Sequence, residues 1–282
     1  MEQHPIIEIN DVTFSYQNEG QPVLNGASAR FFPGTITVIC GPTGSGKTTL
    51  VRLLNGLIPH FYEGWMKGDV LVNGINTRDA STARLAQVVG MVFQNPDNQL
   101  VCSSCEREIA FGPENLGIPR SEIHDRVESA IQLLDLQPIR EISPNELSGG
   151  QKQKVAIAAA LALNPSVLVF DEPTSNLDPE SITKLVSVIE TIKTRLHSTI
   201  IIVEHRLEPF LKVATHMACM KDGKIIMHDK TENVIQDESF YQLGVQVPVV
   251  MRIFNQLRKE RLHDGPIPVD MEKGLSMLQG LL

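Results

Sequence analysis

The chain has 282 residues, enough for one large domain with a small appendage or for two modest domains. Hydrophobic residues are 42% and charged residues 21%, so a soluble globular protein with a sizeable core is expected. With 25 Lys and Arg against 33 Asp and Glu, the formal charge of -8 argues against a broad nucleic-acid surface.

The N-terminal Met1-Glu-Gln-His-Pro5 has no basic region followed by an apolar stretch, so no secretory signal is expected and a cytosolic location follows by default. Ile7, Ile9, Val12, Phe14 and Tyr16 alternate in strand fashion, and a turn is expected at Asn18 to Pro22. Ile36 to Ile39 reads as a buried strand ending at Gly41. A helix follows from Gly46, with Leu50, Leu53, Leu54 and Leu57 on one side and Gly56 and Pro59 closing it. From about Glu106 to Leu163 the pattern is helical, with Ile123, Val127, Ala130, Ile131, Leu134 and Leu136 at helical spacing. Val167 to Phe170 is a second buried strand, Ser181 to Leu196 an amphipathic helix, and Ile200 to Val203 a third strand. Strands alternating with helices imply an α/β fold with a largely parallel sheet. The helical block, about residues 100–163, reads as an insertion. Past Glu238, Val247, Val250, Ile253, Phe254 and Leu257 mark a short amphipathic helix. A Gly265-Pro-Ile-Pro268 break and a last helix complete an appendage. The expected division is residues 1–237 and 238–282. The longest apolar stretches have strand length, so the chain is not expected to span a bilayer by itself.

Gly41-Pro-Thr-Gly-Ser-Gly-Lys-Thr-Thr49 matches G-x-x-x-x-G-K-[ST]. The spacing predicts a tight loop whose backbone N–H groups cradle phosphates, opening onto a helix N-terminus. Lys47 would contact the terminal phosphates and Thr48 a magnesium ion. A random chain of this length matches on the order of 1% of the time, and the flanking strand and helix lower that further. Val167-Leu-Val-Phe-Asp-Glu172 supplies the acidic half. Asp171 ends a buried strand within reach of the metal shell, and Glu172 is placed to polarise or deprotonate an attacking water. Leu147-Ser-Gly-Gly-Gln151 opens a helix, with Ser148 a natural N-cap and two glycines permitting close approach. It is a second anion-type site on the same chain, which suggests that it serves a partner's nucleotide. Of four cysteines, Cys40 and Cys219 lie in apolar segments and read as core residues, while Cys102 and Cys105 form a C-x-x-C. One such pair without further ligands is a poor zinc site, so local packing is the favoured reading, with a redox role the alternative.

These motifs, with Gln94 between the first two, Ser175-Asn-Leu-Asp178 after Glu172 and His205 after a strand, resemble in kind and order those of an ATP-binding-cassette ATPase. The resemblance covers about residues 5–230. It implies a P-loop NTPase fold of that type, with an N-terminal antiparallel β subdomain, an inserted helical subdomain and the helical appendage. It also implies a head-to-tail dimer with ATP and magnesium between one subunit's Gly41–Thr49 loop and the other's Ser148, Gly149, Gly150 and Gln151. In that frame Gly41, Pro42, Thr43, Gly44, Ser45, Gly46, Lys47, Thr48 and Thr49 hold the phosphates. Tyr16 stacks on adenine; its plain alternative is a half-buried strand tyrosine. Thr48, Gln94 and Asp171 serve the metal. Glu172, His205, Lys47 and Gln94 act in hydrolysis, and Asp178 lies at the dimer seam.

Asn55-Gly-Leu-Ile-Pro-His-Phe-Tyr-Glu-Gly64, Phe93-Gln-Asn-Pro-Asp-Asn-Gln99, Ala110-Phe-Gly-Pro-Glu-Asn-Leu-Gly117 and Leu243-Gly-Val-Gln-Val-Pro248 narrow the resemblance. They look like the ATPase subunits of energy-coupling-factor transporters, importers of vitamins and of transition-metal ions such as cobalt or nickel. That implies an ATPase held peripherally at the cytoplasmic face of the membrane by its partners. Those partners are a second cassette (the same or a paralogue), a transmembrane scaffold and a substrate-binding membrane subunit, with the appendage supporting dimerisation. Departures from the pattern are Asn176 for alanine, Glu204 for serine or threonine before the histidine, and Cys102 and Cys105. The alternatives are an ATPase of another transporter of this kind or a soluble cassette in repair or translation. Repair types carry long coiled coils between phosphate loop and signature, where this chain has about 100 residues without heptads. Translation types usually hold two cassettes, where this chain has one phosphate-loop motif.

Overall fold

The computed structural model describes residues 4–17 and 20–279. The first two residues of the turn expected at Asn18 to Pro22, and the first three of the N-terminal run, lie outside the described residues.

In chain order the N-terminal part holds β1 (Ile7–Ser15), β2 (Leu24–Phe31), β3 (Ile36–Cys40), α1 (Lys47–Leu54) and α2 (Leu57–His60). Then come β4 (Trp65–Val72), β5 (Ile75–Asn76), α3 (Thr82–Ala86) and β6 (Val89–Val92). The helical block is α4 (Cys105–Asn115), α5 (Arg120–Leu134) and α6 (Gly149–Ala162). After it run β7 (Val167–Asp171), α7 (Pro179–Leu196), β8 (Thr199–Val203), β9 (His216–Lys221), β10 (Lys224–Lys230) and α8 (Thr231–Val234). Two helices close the chain, α9 (Val249–Lys259) and α10 (Met271–Gln279).

Strands β2-β1-β4-β5 form an antiparallel sheet. Along β1 the inward residues step from Ile9 to Val12, an odd interval that a plain strand would turn to the wrong face. A bulge absorbs it, with Asp11 at φ 49°, and all four of Ile7, Ile9, Val12 and Phe14 stay buried. The second sheet runs β10-β9-β3-β8-β7-β6, parallel except for β10 at its edge. Its central strands are apolar without alternation because both faces are covered. Leu168, Phe170, Ile200 and Ile202 face a core shared with α5, α6 and α7. Val167, Val169, Ile201 and Val203 face a second core shared with α1 and the antiparallel sheet.

Strands β6 and β7 are neighbours, yet the connection between them carries α4, α5 and α6. Arg140 staples this block: its guanidinium reaches Glu106 on α4, and Glu128 on α5 at 2.6 Å. That hydrogen bond from Arg140 holds the Glu106 carboxyl below its usual range. At the C-terminal end Val250, Met251 and Phe254 of α9 bury into the α5–α7 core, which therefore continues into the last helices. Among the described residues no helix is long and apolar enough to cross a membrane.

The order of the sheet sets up the site. Strand β3 pairs with β8 and β8 with β7, with Ile39 opposite Val203 and Val203 opposite Asp171. The segments beginning at Gly41, Glu172 and Glu204 therefore leave the sheet side by side, at the carboxyl ends of parallel strands where such sheets bind ligands.

Candidate active site

The loop from Gly41 to Gly46 joins β3 to α1. Two of its glycines are required by the backbone. Gly46 has φ 97°, and a Cβ there would lie 2.8 Å from the Val23 carbonyl oxygen. At Gly41 a Cβ would lie 2.2 Å from the Met220 carbonyl oxygen on β9. Lys47 is buried in the loop it follows, its ammonium donating to the Gly41 and Pro42 carbonyls at 2.9 and 3.0 Å. An ammonium has three hydrogens, so one is left for a further acceptor. Burial pulls the Lys47 pKa below the usual lysine range, against the opposing pull of Glu172, Cys40, Asp171 and Glu204. The Ser45 hydroxyl is buried with no hydrogen-bond partner. An anion in the loop would satisfy both groups, so the residues fit a phosphate.

Across from the loop, the Thr48 hydroxyl donates to Asp171 Oδ1 at 3.1 Å. Asp171 is only 5% exposed, and burial pushes its pKa up, against the Thr48 hydrogen bond. A hydroxyl and a carboxylate are the hard-oxygen donors magnesium prefers, with phosphates and waters completing its shell. Thr48 and Asp171 therefore fit a magnesium site.

Glu172 follows with φ 49°, a left-handed conformation uncommon for a residue with a side chain. Its own N–H donates to the Val203 carbonyl at 2.9 Å, so the turn is built against β8. The carboxylate is held from two sides: Gln94 Nε2 donates to Oε2 at 2.9 Å, and His205 Nε2 lies 3.0 Å from Oε1. Because a carboxylate only accepts, the hydrogen in the second contact sits on His205 Nε2. Gln94 spends its amide nitrogen on Glu172, which leaves its carbonyl oxygen for a metal shell.

Ser148 caps α6 with a reciprocal box: its side chain accepts from the Gln151 N–H while the Gln151 side chain accepts from the Ser148 N–H. Gly149 has open space in front of it, a Cβ there meeting only the Asn176 carbonyl at 3.7 Å. Among the described residues no hydrogen bond joins Ser148, Gly149, Gly150 or Gln151 to the Gly41–Thr49 loop. Asp178 caps α7, accepting from the Ser181 N–H and hydroxyl, which hold its pKa down.

Tyr16 stands just past the end of β1, 37% exposed, and its hydroxyl lies 3.1 Å from Thr49 Oγ1. Its ring meets Phe14 and Tyr62 edge-on, with centroids at 4.9 and 6.3 Å. Cys105 is buried with its thiol on the Ile142 carbonyl, whereas the Cys102 N–H donates to Glu108. The two cysteines make different local contacts.

Three residues of this region are not singled out by motif reading. Arg52 donates to the Tyr16 hydroxyl at 3.4 Å and lies 4.5 Å over the Tyr62 ring. Lys152 pairs with Asp97 at 2.6 Å and so ties α6 to the loop after Gln94. Thr174, fully buried, bonds Glu204 through both its N–H and its hydroxyl. A polar residue adjoining a motif was the available signal for Lys152 and Thr174. Arg52 gave none, because its partners are distant in sequence.

A family model described as ABC transporter matches residues 24–175. A Pyrococcus horikoshii protein provisionally named as an ABC transporter ATP-binding protein is 41% identical over 258 residues, 91% of either chain. A Methanosarcina acetivorans protein with the same provisional name is 39% identical over 257 residues. Those are 91% of this chain but 40% of that relative, so the chain spans about two fifths of its length. Among solved structures, cbiO1 from Clostridium perfringens, described as part of the ABC transporter complex cbiONQ, superposes with a TM-score of 0.75 and 28% identity. The match covers 90% of this chain and all of that one. The ATP-binding cassette MJ0796, solved as a dimer in a post-hydrolysis state with ADP and Pi, gives a TM-score of 0.68 and 25% identity over 80% of this chain and 98% of that one. On the fold, the motif geometry and these matches, the chain belongs to the ABC transporter family of ATP-binding, ATP-hydrolysing cassettes.

Proposed function

We propose that this chain is the ATP-hydrolysing subunit of a membrane importer of the energy-coupling-factor type, working on ATP held between two cassettes. The observation that carries hydrolysis is the grip on Glu172 by Gln94 and His205, beside the Thr48–Asp171 pair. In this reading the Gly41–Thr49 loop holds the β- and γ-phosphates, with Ser45 and Lys47 supplying their unused donors. Thr48, Asp171 and the Gln94 oxygen would hold a magnesium ion, which when bound would neutralise charge on the phosphates. Glu172 orients the attacking water and accepts its proton, and His205, donating its Nε2–H to the carboxylate, fixes Glu172 beside the γ-phosphate. Tyr16 stacks on the adenine. Ser148, Gly149, Gly150 and Gln151 complete the other cassette's site, so closure of two chains buries two ATP molecules and loss of the γ-phosphate releases them.

The importer reading is supported by the likeness to cbiO1 and by the segments at residues 55–64, 93–99 and 110–117. It implies peripheral attachment to the cytoplasmic face through a transmembrane scaffold, with a separate membrane subunit choosing the vitamin or transition-metal ion. The division into a cassette of residues 1–237 and an accessory region of residues 238–282 belongs to the same proposal. Affinity purification of the tagged chain from membranes in mild detergent tests it. A stoichiometric polytopic membrane protein with a second, smaller one is the expected result. Recovery of soluble proteins alone, with ATPase activity intact, would contradict it.

A further inference from the structure

Glu204 is a carboxylate buried to 3% exposure between the two loops that carry the hydrolytic pair. Oε1 accepts from the backbone N–H groups of His205 and Arg206 at 2.8 and 3.2 Å. Oε2 accepts from the Thr174 N–H at 3.3 Å and from the Thr174 hydroxyl at 2.7 Å. The Glu204 N–H in turn donates to the Ile39 carbonyl at 3.1 Å, on the strand that leads into the phosphate loop. One side chain thus uses four acceptor positions, two toward each loop, and its own backbone is fixed to a third segment.

We propose that Glu204 is a positioning residue for ATP hydrolysis, clamping the turn that carries His205 to the loop that follows Glu172. The proposal rests on the reading of Glu172 and His205 as the hydrolytic pair. His205 and Glu172 meet through the tips of side chains rooted on different strands, so their separation depends on how the two backbones are held. Among the described residues Glu172 is itself hydrogen-bonded to β8 only through its N–H on Val203. The Thr174 segment supplies the second anchor, two residues on. A shorter hydroxyl side chain in place of Glu204 lacks the second oxygen needed to hold both loops at once.

Glu204→Gln keeps the volume but replaces one acceptor oxygen with a donor, so it opposes the donors of one loop or the other. Steady-state ATPase kinetics and nucleotide binding on the full chain give the test, with Glu204→Asp as the conservative rescue. The expected result is a kcat lower by about 10- to 100-fold, the scale of a small misplacement of reacting groups, with nucleotide affinity unchanged. Glu204→Asp should recover part of the loss. An unchanged kcat, or equal losses in binding and turnover that follow thermal stability, would overturn the proposal. If Glu204→Gln does not fold, Thr174→Val removes the shorter of the two bonds in one arm of the clamp at similar volume, and a kcat-only loss is required of it. Glu172→Gln measured in parallel separates the two levels: if it turns over normally, the hydrolytic pair itself is misassigned, whatever Glu204 does.

Discussion

His205 Nε2 and Glu172 Oε1 are 3.0 Å apart, a contact that closes a ring through two neighbouring parallel strands. Glu172 leaves β7 in a left-handed turn and His205 leaves β8 one residue past Glu204. The backbone strain at Glu172 is thus located where the side chain must turn toward its partner.

Glu172→Gln should lower ATP turnover by about 10²- to 10⁴-fold, the usual contribution of a positioned general base, while nucleotide binding survives. His205→Ala should also lower kcat with little change in binding. Phosphate release and equilibrium binding of a fluorescent nucleotide check both.

Adenine recognition should depend on the Tyr16 ring rather than on its hydroxyl. Base stacking on an aromatic ring contributes about 1–3 kcal/mol, so Tyr16→Ala should weaken ATP binding by roughly tenfold or more. Tyr16→Phe keeps the ring and loses only the Thr49 and Arg52 contacts, and its effect should be about twofold or less. Titration calorimetry with ATP distinguishes the two, and equal effects would argue against stacking.

Burial raises the Asp171 pKa, so its charged form costs the nucleotide-free fold stability. That contribution is favourable below the ordinary aspartate range and is lost as pH rises through the elevated native value. Asp171→Asn keeps an acceptor for Thr48 and should raise nucleotide-free stability at pH 7 by about 1 kcal/mol, while abolishing magnesium-dependent turnover. Thermal melts with and without Mg-ATP check this: the variant should melt higher without nucleotide and gain less from adding it.

Glu106 has the opposite sign. Its pKa is depressed by Arg140, so its stabilisation is present above the ordinary glutamate range and is lost as pH falls through the lowered native value. Arg140→Ala should destabilise the helical block at pH 7 by about 1–3 kcal/mol, since it strips charged partners from Glu106 and Glu128. Its stability should also fall less steeply than the wild type's below pH 5. Urea unfolding at pH 7 and below pH 5 is the measurement.

The chemistry was legible where it is contiguous. The Gly41–Thr49 loop, the Val167–Glu172 strand and the Ser148 cap are each written in one short run, flanked by strongly apolar strands or a clean helix start. Strand β4 was not legible, because Lys67, Gly68 and Asp69 interrupt it and only its second half is buried. Strand β6 is four residues long, and β9 and β10 owe their places to pairing partners far away in the chain. The wiring behind the site was also hidden. Glu204 stood out as an unusual residue, but its four bonds come from two loops some 30 positions apart. Arg52 could not be connected to Tyr16 before the strand and the helix were folded together.

Completion of the ATP site by a second cassette can be probed at Gly149. A side chain there has room within its own chain, and an acidic residue in the first turn of α6 favours that helix, so Gly149→Asp should fold normally. It would also place a carboxylate where the other cassette's γ-phosphate must sit. ATP turnover per chain should be measured against protein concentration for both forms, with mass determined at each point. Wild-type turnover per chain should climb as the protein dimerises, and Gly149→Asp should lose nearly all of it with nucleotide binding retained. Turnover by a monomer, constant on dilution and untouched by Gly149→Asp, would contradict it.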